Sequence, residues 1–184
     1  MQDQVTGLAV AAQRGDRGAL TAFIAATQHE VRRYCAHLAG PGYSEDLAQE
    51  TYLRAITALP SFRRASSART WLLAIARRTV ADHLRAAAAR PRLVTADWRA
   101  ALDARRSVTG PAALVEARLL LATLDRDRRE ALVLTQAFGL TYAEAADVCG
   151  CPVGTIRSRV ARAREQLVRQ HHGAHQAPNQ EATA

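Results

Sequence analysis

Apolar residues recur every three or four positions along most of this chain, which is the spacing of amphipathic helices. In residues 19–39, Phe23, Val31, Tyr34 and Leu38 fall at such helical spacings. We find no convincing alternation of apolar and polar residues of the kind that a half-buried strand shows. The pattern therefore predicts an all-α protein, with helices in residues 19–39, 45–59, 68–90 and 113–170.

Glycine and proline separate the predicted helices. A Gly-Pro-Gly sequence breaks the first one, and Ser44 or a neighbour is expected to cap the next. Pro60 and Pro91 are expected to end the two that follow. The predicted organisation is two small helical domains, residues 1–92 and 113–172, joined by a flexible linker, residues 93–112, and followed by a disordered tail, residues 173–184.

The second domain contains a predicted helix-turn-helix. Thr141 is a good N-cap residue, and Glu144 three positions later completes a capping box. The sequence Cys-Gly-Cys-Pro forms the turn, and Pro152 suits the entry of the second helix. In this motif the second helix enters the major groove of DNA.

That second helix separates an apolar stripe from a basic surface. Its apolar stripe consists of Ile156, Val160, Ala163 and Leu167. Its four arginines within eight positions are Arg157, Arg159, Arg162 and Arg164. Like charges at helical spacing repel each other, so this surface indicates an anionic partner such as nucleic acid.

The base-reading positions of the same helix are its first turns. Thr155, Ser158 and Arg159 are placed there, and arginine can bond a guanine edge with two hydrogen bonds. Arg162 and Arg164 lie further along and are expected to hold phosphates.

The composition narrows the function classes. The chain has 184 residues and a net charge of +8, with 25 arginines and no lysine, which predicts polyanionic partners. It shows neither a signal peptide nor an apolar run long enough to cross a bilayer, and its three cysteines fit a reducing compartment, so we expect a cytoplasmic protein. We find no catalytic set, phosphate loop or zinc-ligand set, so no enzyme activity, cofactor or metal is predicted.

Three segments resemble one family. Residues 140–167, LTYAEAADVCGCPVGTIRSRVARAREQL, resemble the C-terminal domain of extracytoplasmic-function (ECF) sigma factors, a class of the sigma-70 family. Residues 45–56, EDLAQETYLRAI, resemble the family's polymerase-binding segment, and residues 68–85, ARTWLLAIARRTVADHLR, resemble its promoter-melting helix. The three segments come in the same order as in the family, and their amino-acid sequences are similar to those of actinobacterial members.

The resemblance implies a protein that binds core RNA polymerase, directs it to specific promoters and helps to melt them. The polymerase contact would use Asp46, Leu47, Gln49, Glu50, Leu53 and Arg54, with Leu47 and Leu53 able to face inward. The downstream promoter element, as single-stranded DNA, would contact Arg63, Arg64, Ser66, Ser67, Arg69, Trp71, Arg77, Arg78 and Arg85. The upstream element, as duplex, would contact Thr155, Arg157, Ser158, Arg159, Arg162 and Arg164. An anti-sigma factor is a further partner that the resemblance allows.

Other interpretations stay open at this point. A free-standing helix-turn-helix regulator would use the same second domain, although it leaves the polymerase-like segment unexplained. The acidic surface of residues 45–50 could be an ordinary solvated face, and Trp71 could serve core packing. Arg78 stands where many family members have Asn, which weakens any transfer of base preference.

Several residues are assigned ordinary structural roles. Asp125 stands where the family usually has proline and can itself cap a helix. Asp127 and Glu130, like Asp125, are interpreted as acidic residues near a helix start. Cys149 and Cys151 are interpreted as small packed thiols.

Overall fold

The computed structural model describes residues 2–89 and 119–175, with the side chains of residues 4–89 and 119–170. Within these ranges every regular element is helical, which confirms the predicted all-α class. The predicted linker, residues 93–112, lies outside the described residues, as does the predicted tail from residue 176 onward.

Four helices form the first unit. They are α1 (Gln2–Gln13), α2 (Arg17–Ala39), α3 (Ser44–Ala58) and α4 (Ala68–Ala89), with single 3₁₀ turns at Pro41–Tyr43 and Leu59–Ser61 on either side of α3. Helix α2 begins at an N-cap, because the Asp16 carboxylate accepts a hydrogen bond from the Ala19 N–H at 2.9 Å. Its buried side chains include Phe23, Val31 and Tyr34, as predicted.

Two features of this unit differ from the sequence expectations. Helix α1 was not predicted, and it packs against α2 and α4 through the small buried residues Val5 and Ala9. The N-cap position of α3 falls on Tyr43, the neighbour of Ser44, but no side chain caps the helix there: Ser44 is the first residue of α3, and its hydroxyl donates to the Pro41 carbonyl at 2.8 Å.

The second unit begins with a helical stretch at residues 119–122. Three helices follow, α5 (Arg126–Leu132), α6 (Tyr142–Cys149) and α7 (Val153–His175), and one π-helical turn, Val133–Ala137, extends α5. Asp125 caps α5 by accepting from the Arg128 N–H at 2.9 Å, which confirms the expected cap. Helix α7 continues three residues into the predicted tail.

The two units pack against each other. Helix α4 of the first unit lies along α6 of the second, and α2 contacts α5. Buried apolar residues of both units form one continuous core, which includes Tyr34 and Leu72 from the first and Leu134 and Ile156 from the second. The scaffold that positions the candidate sites is therefore the whole of the described chain.

Candidate nucleic-acid and polymerase interfaces

The helix-turn-helix is held by local hydrogen bonds. The Thr141 hydroxyl accepts from the Glu144 N–H at 3.2 Å, and the Glu144 carboxylate accepts from the Thr141 N–H at 2.8 Å, which confirms the capping box. Gly150 ends α6 in the left-handed region, at φ +63°, where glycine carries no Cβ penalty. These contacts fix where α6 begins and where it ends.

Helix α7 presents two different sides. Ile156, Val160 and Ala163 are fully buried, and Leu167 packs partly against the same core, so the predicted stripe is confirmed. The opposite side is open to solvent along Arg157, Ser158, Arg162 and Arg164. Among the described residues, neither Arg157 nor Arg162 makes a hydrogen bond or an ion pair with another side chain.

The other two arginines of this cluster have partners. Arg159 forms an ion pair with Asp127 on α5, and its Nη1 lies 3.9 Å from the Cys151 sulfur. Arg164 donates to the Gln136 side-chain oxygen at 2.8 Å. Arg159 is thus half-buried, and the Asp127 carboxylate holds its guanidinium in place. The position of Asp127 near a helix start did not indicate this role.

Thr155 lies under this surface. It is half-buried, and its carbonyl accepts a hydrogen bond from the Ser158 hydroxyl at 2.9 Å. The predicted upstream-element residues therefore come together on one end of α7, with Arg157 and Arg162 as its unpaired cations in the described part of the chain.

A short loop joins α3 to α4. Arg63 and Arg64 are exposed on it, and Ser66 and Ser67 are half-buried. Arg64 has a positive φ of 58°, which is uncommon for a residue with a Cβ. Ser67 caps α4, since its hydroxyl accepts from the Thr70 N–H at 3.1 Å.

Trp71 follows this loop on the first turn of α4. Its ring lies 5.0 Å from the ring of Phe62, tilted by 46°, and Trp71 is only partly buried. Its packing against Phe62 and the core supports the core interpretation, and part of its surface stays exposed.

The arginines of α4 divide into two pairs. Arg78 and Arg85 are exposed, and Arg85 forms an ion pair with Asp82. Arg69 is bonded to Glu30 of α2, with its Nε 2.9 and 3.0 Å from the two carboxylate oxygens, and it also donates to the Phe138 carbonyl of the second unit at 2.6 Å.

Arg77 reaches across the boundary between the units. Its Nε lies 3.0 Å from a carboxylate oxygen of Glu130, which is fully buried. The Tyr34 hydroxyl donates to the same carboxylate at 2.5 Å. Glu130 is therefore not a helix-start acid, and that interpretation is wrong: its charge is buried between α2, α4 and α5, where two donors satisfy it.

The two donors to Glu130, Tyr34 and Arg77, both have raised pKa values and stay protonated. Burial, together with the Glu130 charge, raises the pKa of Tyr34 well above its usual value, so the phenol stays a neutral donor. Burial is the largest single influence on the pKa of Arg77 and lowers it, but the charge and hydrogen bond of Glu130, with smaller contributions from Cys149 and Tyr34, together raise it. Arg77 thus stays charged at the boundary.

Phe138 forms the second contact between the units. The rings of Tyr34 and His37 each meet its ring edge-on at 6.1 Å, and the Arg33 guanidinium lies 5.2 Å from its centroid. Cation–π and edge-to-face contacts of this kind add to the apolar contact between α2 and the second unit.

The polymerase-like segment lies on α3. Asp46 and Gln49 are exposed as predicted, and Leu47 is buried at 6 % exposure, so Leu47 supports the helix from inside and offers no contact surface. Leu53 was expected to be able to face inward, and that expectation is wrong, since it is 58 % exposed.

Arg54 and Glu50 are committed to contacts within the chain. Arg54 donates to Glu50 at 2.7 Å and to Asp82 of α4 at 2.6 Å. The hydrogen bond to Asp82 is the largest cause that raises the pKa of Arg54, and the same bond lowers the pKa of Asp82. Arg54 therefore ties α3 to α4.

An open groove runs between α2 and α3 beside the exposed Leu53. Both apolar and polar side chains line it; the lining residues are Ile24, Gln28, Arg32, Glu45, Ala48, Gln49, Tyr52, Leu53 and Ile56. Ile56 is also largely exposed, which leaves two aliphatic side chains of α3 uncovered. The sequence places Ile56 on the apolar pattern of this helix but does not assign it to the polymerase contact, although it lies one turn of helix from Leu53.

The three cysteines differ in surroundings. Cys35 and Cys149 are buried, and burial raises the pKa of each thiol to about 12, while Cys151 is half-buried. In residues 2–89 and 119–175 no group of three or more His, Cys, Asp or Glu side chains could hold a metal ion. None of the helices described is long and apolar enough to span a membrane.

Two family models match the chain, one on each unit. Residues 23–90 match the model of sigma-70 region 2, and residues 114–167 match the model of sigma-70 region 4. The first match covers most of α2 to α4 with the loop, and the second covers α5, α6 and most of α7.

Curated relatives match over nearly the full length. The chain is 55 % identical over 167 residues to the ECF RNA polymerase sigma factor SigC of Mycobacterium tuberculosis, which covers 90 % of both chains. It is 33 % identical over 181 residues to the ECF RNA polymerase sigma-E factor of Escherichia coli, which covers 91 % of this chain and 95 % of that one.

Two solved structures share the fold. One is CnrH in complex with the cytosolic domain of CnrY, with a TM-score of 0.70 and 25 % identity, covering 94 % of this chain and 99 % of that one. The other is the sigma factor RpoE in complex with the anti-sigma factor NepR from Bartonella quintana, with a TM-score of 0.61 and 29 % identity, covering 78 % and 91 %.

Proposed function

The chain belongs to the extracytoplasmic-function class of the sigma-70 family, and on that premise we propose that three of its surfaces divide promoter recognition between them. A sigma factor of this class joins core RNA polymerase, directs it to promoters and helps to melt them. In this proposal α7 binds the duplex upstream element, the loop and α4 bind the single-stranded downstream element, and α3 binds the polymerase. The chain works in the cytoplasm as a subunit and carries no catalytic step of its own.

The observation that carries the proposal is the exposed basic side of α7 in a capped helix-turn-helix. Arg157 and Arg162 face solvent without a side-chain partner among the described residues, and Ser158 lies between them. A helix that enters the major groove brings such cations next to phosphates and base edges, where their mutual repulsion is relieved. The solvent-facing arrangement gives DNA direct access to this surface.

The downstream surface combines exposed and engaged arginines. Arg63, Arg64 and Arg78 are exposed and can neutralise phosphates at once. Arg69 and Arg77 are held by Glu30 and by Glu130, and both also touch or approach the second unit. We infer that Arg77 contacts DNA only when the second unit moves away from α4, whereas Arg69 has to leave Glu30 of α2 as well.

The polymerase surface is the groove between α2 and α3. Leu53 and Ile56 expose aliphatic area there, and Gln49 supplies a polar rim. Aliphatic side chains surrounded by polar ones are typical of the centre of a protein–protein interface. Asp46 adds an exposed negative charge at the beginning of the same helix, which suits a basic partner.

An anti-sigma factor is a further proposed partner. The structure of RpoE is described as a complex with the anti-sigma factor NepR, and the structure of CnrH as a complex with a cytosolic domain of CnrY. The likeness in fold supports the proposal that this chain is also regulated by a protein that binds it.

In vitro transcription tests the function directly. Purified protein and actinobacterial core polymerase would be given a pooled promoter library, and the transcripts would be compared with those of core polymerase alone. We expect new start sites that share two spaced sequence elements. Duplex binding without any new transcript would favour a free-standing helix-turn-helix regulator instead.

A matched pair of variants tests the polymerase surface. Leu53→Glu places a charge in the proposed interface and should weaken core binding by a factor of ten or more, about 1.4 kcal/mol or above. Val168→Glu changes an aliphatic residue of similar exposure on α7 and should leave core binding unchanged. Equal losses in both variants would argue against a specific role for the groove.

A further inference from the structure

Helix α1 touches both ends of the loop that joins α3 to α4. The Gln13 side-chain amide donates to the carbonyl of Pro60 at 3.1 Å and to the carbonyl of Phe62 at 3.0 Å. At the other end of the loop, the Thr6 hydroxyl accepts a hydrogen bond from the Ala68 N–H at 3.1 Å. Thr6 and Gln13 are seven positions apart, which is about two helical turns, so they lie on the same side of α1.

The bond from Ala68 completes the start of α4. Ser67 is the cap residue, and its hydroxyl already accepts from the Thr70 N–H at 3.1 Å. The first N–H groups of a helix have no partner within the helix, and one cap side chain does not satisfy them all. Thr6 satisfies the first of them from a different helix, and this contact fixes where the loop ends.

Between these two anchors the loop has few contacts of its own. Arg63, Arg64 and Ala65 are exposed, and Arg64 holds the positive φ of 58°. A residue with a Cβ persists in that conformation only where the surrounding structure determines it. The surroundings here are the two fixed ends, because Phe62 is buried on one side and Ala68 on the other.

We propose that Thr6 and Gln13 are positioning residues, which hold residues 63–67 in the shape that receives an unstacked base of the downstream promoter element. The inference rests on the proposed function of this loop. A loop that already has its bound shape before DNA arrives does not have to order itself when a base binds, so the binding free energy goes into discrimination between bases. Helix α1 is already attached to the unit by its buried residues Val5 and Ala9. The polar side chains of Thr6 and Gln13 are therefore free to bond the loop.

The test measures base discrimination. Holoenzymes would be assembled with the wild-type chain and with the isosteric variants Gln13→Met and Thr6→Val, which lose the donor and the acceptor. Transcription would be compared on the best promoter from the library and on versions with each downstream-element base changed. Each variant is expected to reduce the discrimination ratio about fivefold, which is the size expected of one net hydrogen bond.

Two further variants separate positioning from stability. Thr6→Ser keeps the hydroxyl and should restore the wild-type ratio. Thr21→Val removes an exposed hydroxyl that bonds only within α2, to the Arg17 carbonyl at 3.1 Å, and should leave the ratio unchanged. Core binding and upstream duplex affinity should be the same in all of the chains.

The outcomes distinguish this inference from the function it rests on. A wild-type chain that discriminates downstream bases, with the same ratio in Gln13→Met and Thr6→Val, overturns the positioning role alone. A uniform loss of activity on all promoters also overturns it, since that is the result of a merely structural contact. A wild-type chain that discriminates no downstream base overturns the proposed role of the loop, and this inference with it.

Discussion

Helices α4 and α7 both carry arginines toward the proposed DNA surfaces, but they present them in opposite ways. On α7, Arg157 and Arg162 face solvent. On α4, Arg69 is bonded to Glu30 and Arg77 to the buried Glu130. The comparison shows that a row of arginines is not by itself a free basic surface. Arg157 and Arg162 of α7 are available as they stand, while Arg69 and Arg77 of α4 have to leave a carboxylate first.

The largest expected effect comes from removing Glu130, which frees Arg77 of α4 from its carboxylate partner. In Glu130→Ala the Tyr34 hydroxyl and the Arg77 guanidinium lose their shared acceptor in a buried place. Breaking a buried pair in this way costs about 3–5 kcal/mol, so we expect the units to separate. Small-angle scattering should show a larger radius of gyration, and the urea midpoint should fall.

The matched control is Glu45→Ala. Glu45 is also paired with an arginine, Arg32 at 2.9 Å, but both side chains are exposed. Exposed ion pairs contribute about 0–1 kcal/mol, so neither the radius nor the urea midpoint should change much. If the two variants behave alike, the buried carboxylate does not hold the units together.

Thiol alkylation measures the same separation of the two units at single cysteines. Burial, with a contribution from the Glu130 charge, raises the pKa of Cys149 to about 12. Because the thiolate is the reactive form, only about one thiol in ten thousand is reactive at pH 8. In Glu130→Ala the alkylation of Cys149 should become about tenfold faster or more, measured by mass spectrometry of the labelled peptides.

Cys35 is the internal control for that experiment. Burial raises its pKa to about 12 as well, but Cys35 lies in α2, and the Glu130 charge is not among the causes of its shift. Its rate should stay low at pH 7–9 in both chains, and should rise only as the pH approaches 12. A parallel increase at Cys35 and Cys149 would mean that the chain unfolds rather than opens.

The next smaller effect concerns the one arginine of α7 that resembles those of α4. Arg159 is paired with Asp127, yet it lies in the turns that face the major groove. Arg159→Ala should cost about 1–3 kcal/mol at one upstream-element base and relax selectivity there. Binding measured on a set of duplexes with single changes checks this, and an equal loss on every duplex would make Arg159 a phosphate contact.

The sequence predicted those parts of the fold that are determined locally. The capping box at Thr141 and Glu144, the cap at Asp125 and the stripe from Ile156 to Ala163 depend on neighbours within a few positions. Each of them was confirmed, because helix periodicity and capping are properties of short segments.

The contacts between the units could not be predicted in this way. Glu130 is 53 positions from Arg77 and 96 from Tyr34, and nothing in its own segment indicates that it is buried. Helix α1 was missed because its buried residues, Val5 and Ala9, are small and give a weak periodic signal. The exposure of Leu53, in contrast, could have been predicted. Leu53 lies six positions from Leu47, about 240° around the helix, so the two side chains cannot belong to the same narrow apolar stripe.

The smallest expected effect tests whether the exposed arginines of α7 hold phosphates. Arg162 has no side-chain partner among the described residues, so Arg162→Ala changes no contact within the fold and should leave stability unchanged. Each phosphate contact releases a condensed counterion, so the slope of log K against log salt should become shallower by about one, equally for all duplex sequences. Fluorescence anisotropy over a series of salt concentrations measures this slope. Arg169→Ala is the control for charge alone. It removes the same single positive charge from the exposed side of α7, but seven positions further from the turn. If the two variants shift the slope by the same amount, the effect comes from the general field of the helix and not from a phosphate contact at Arg162.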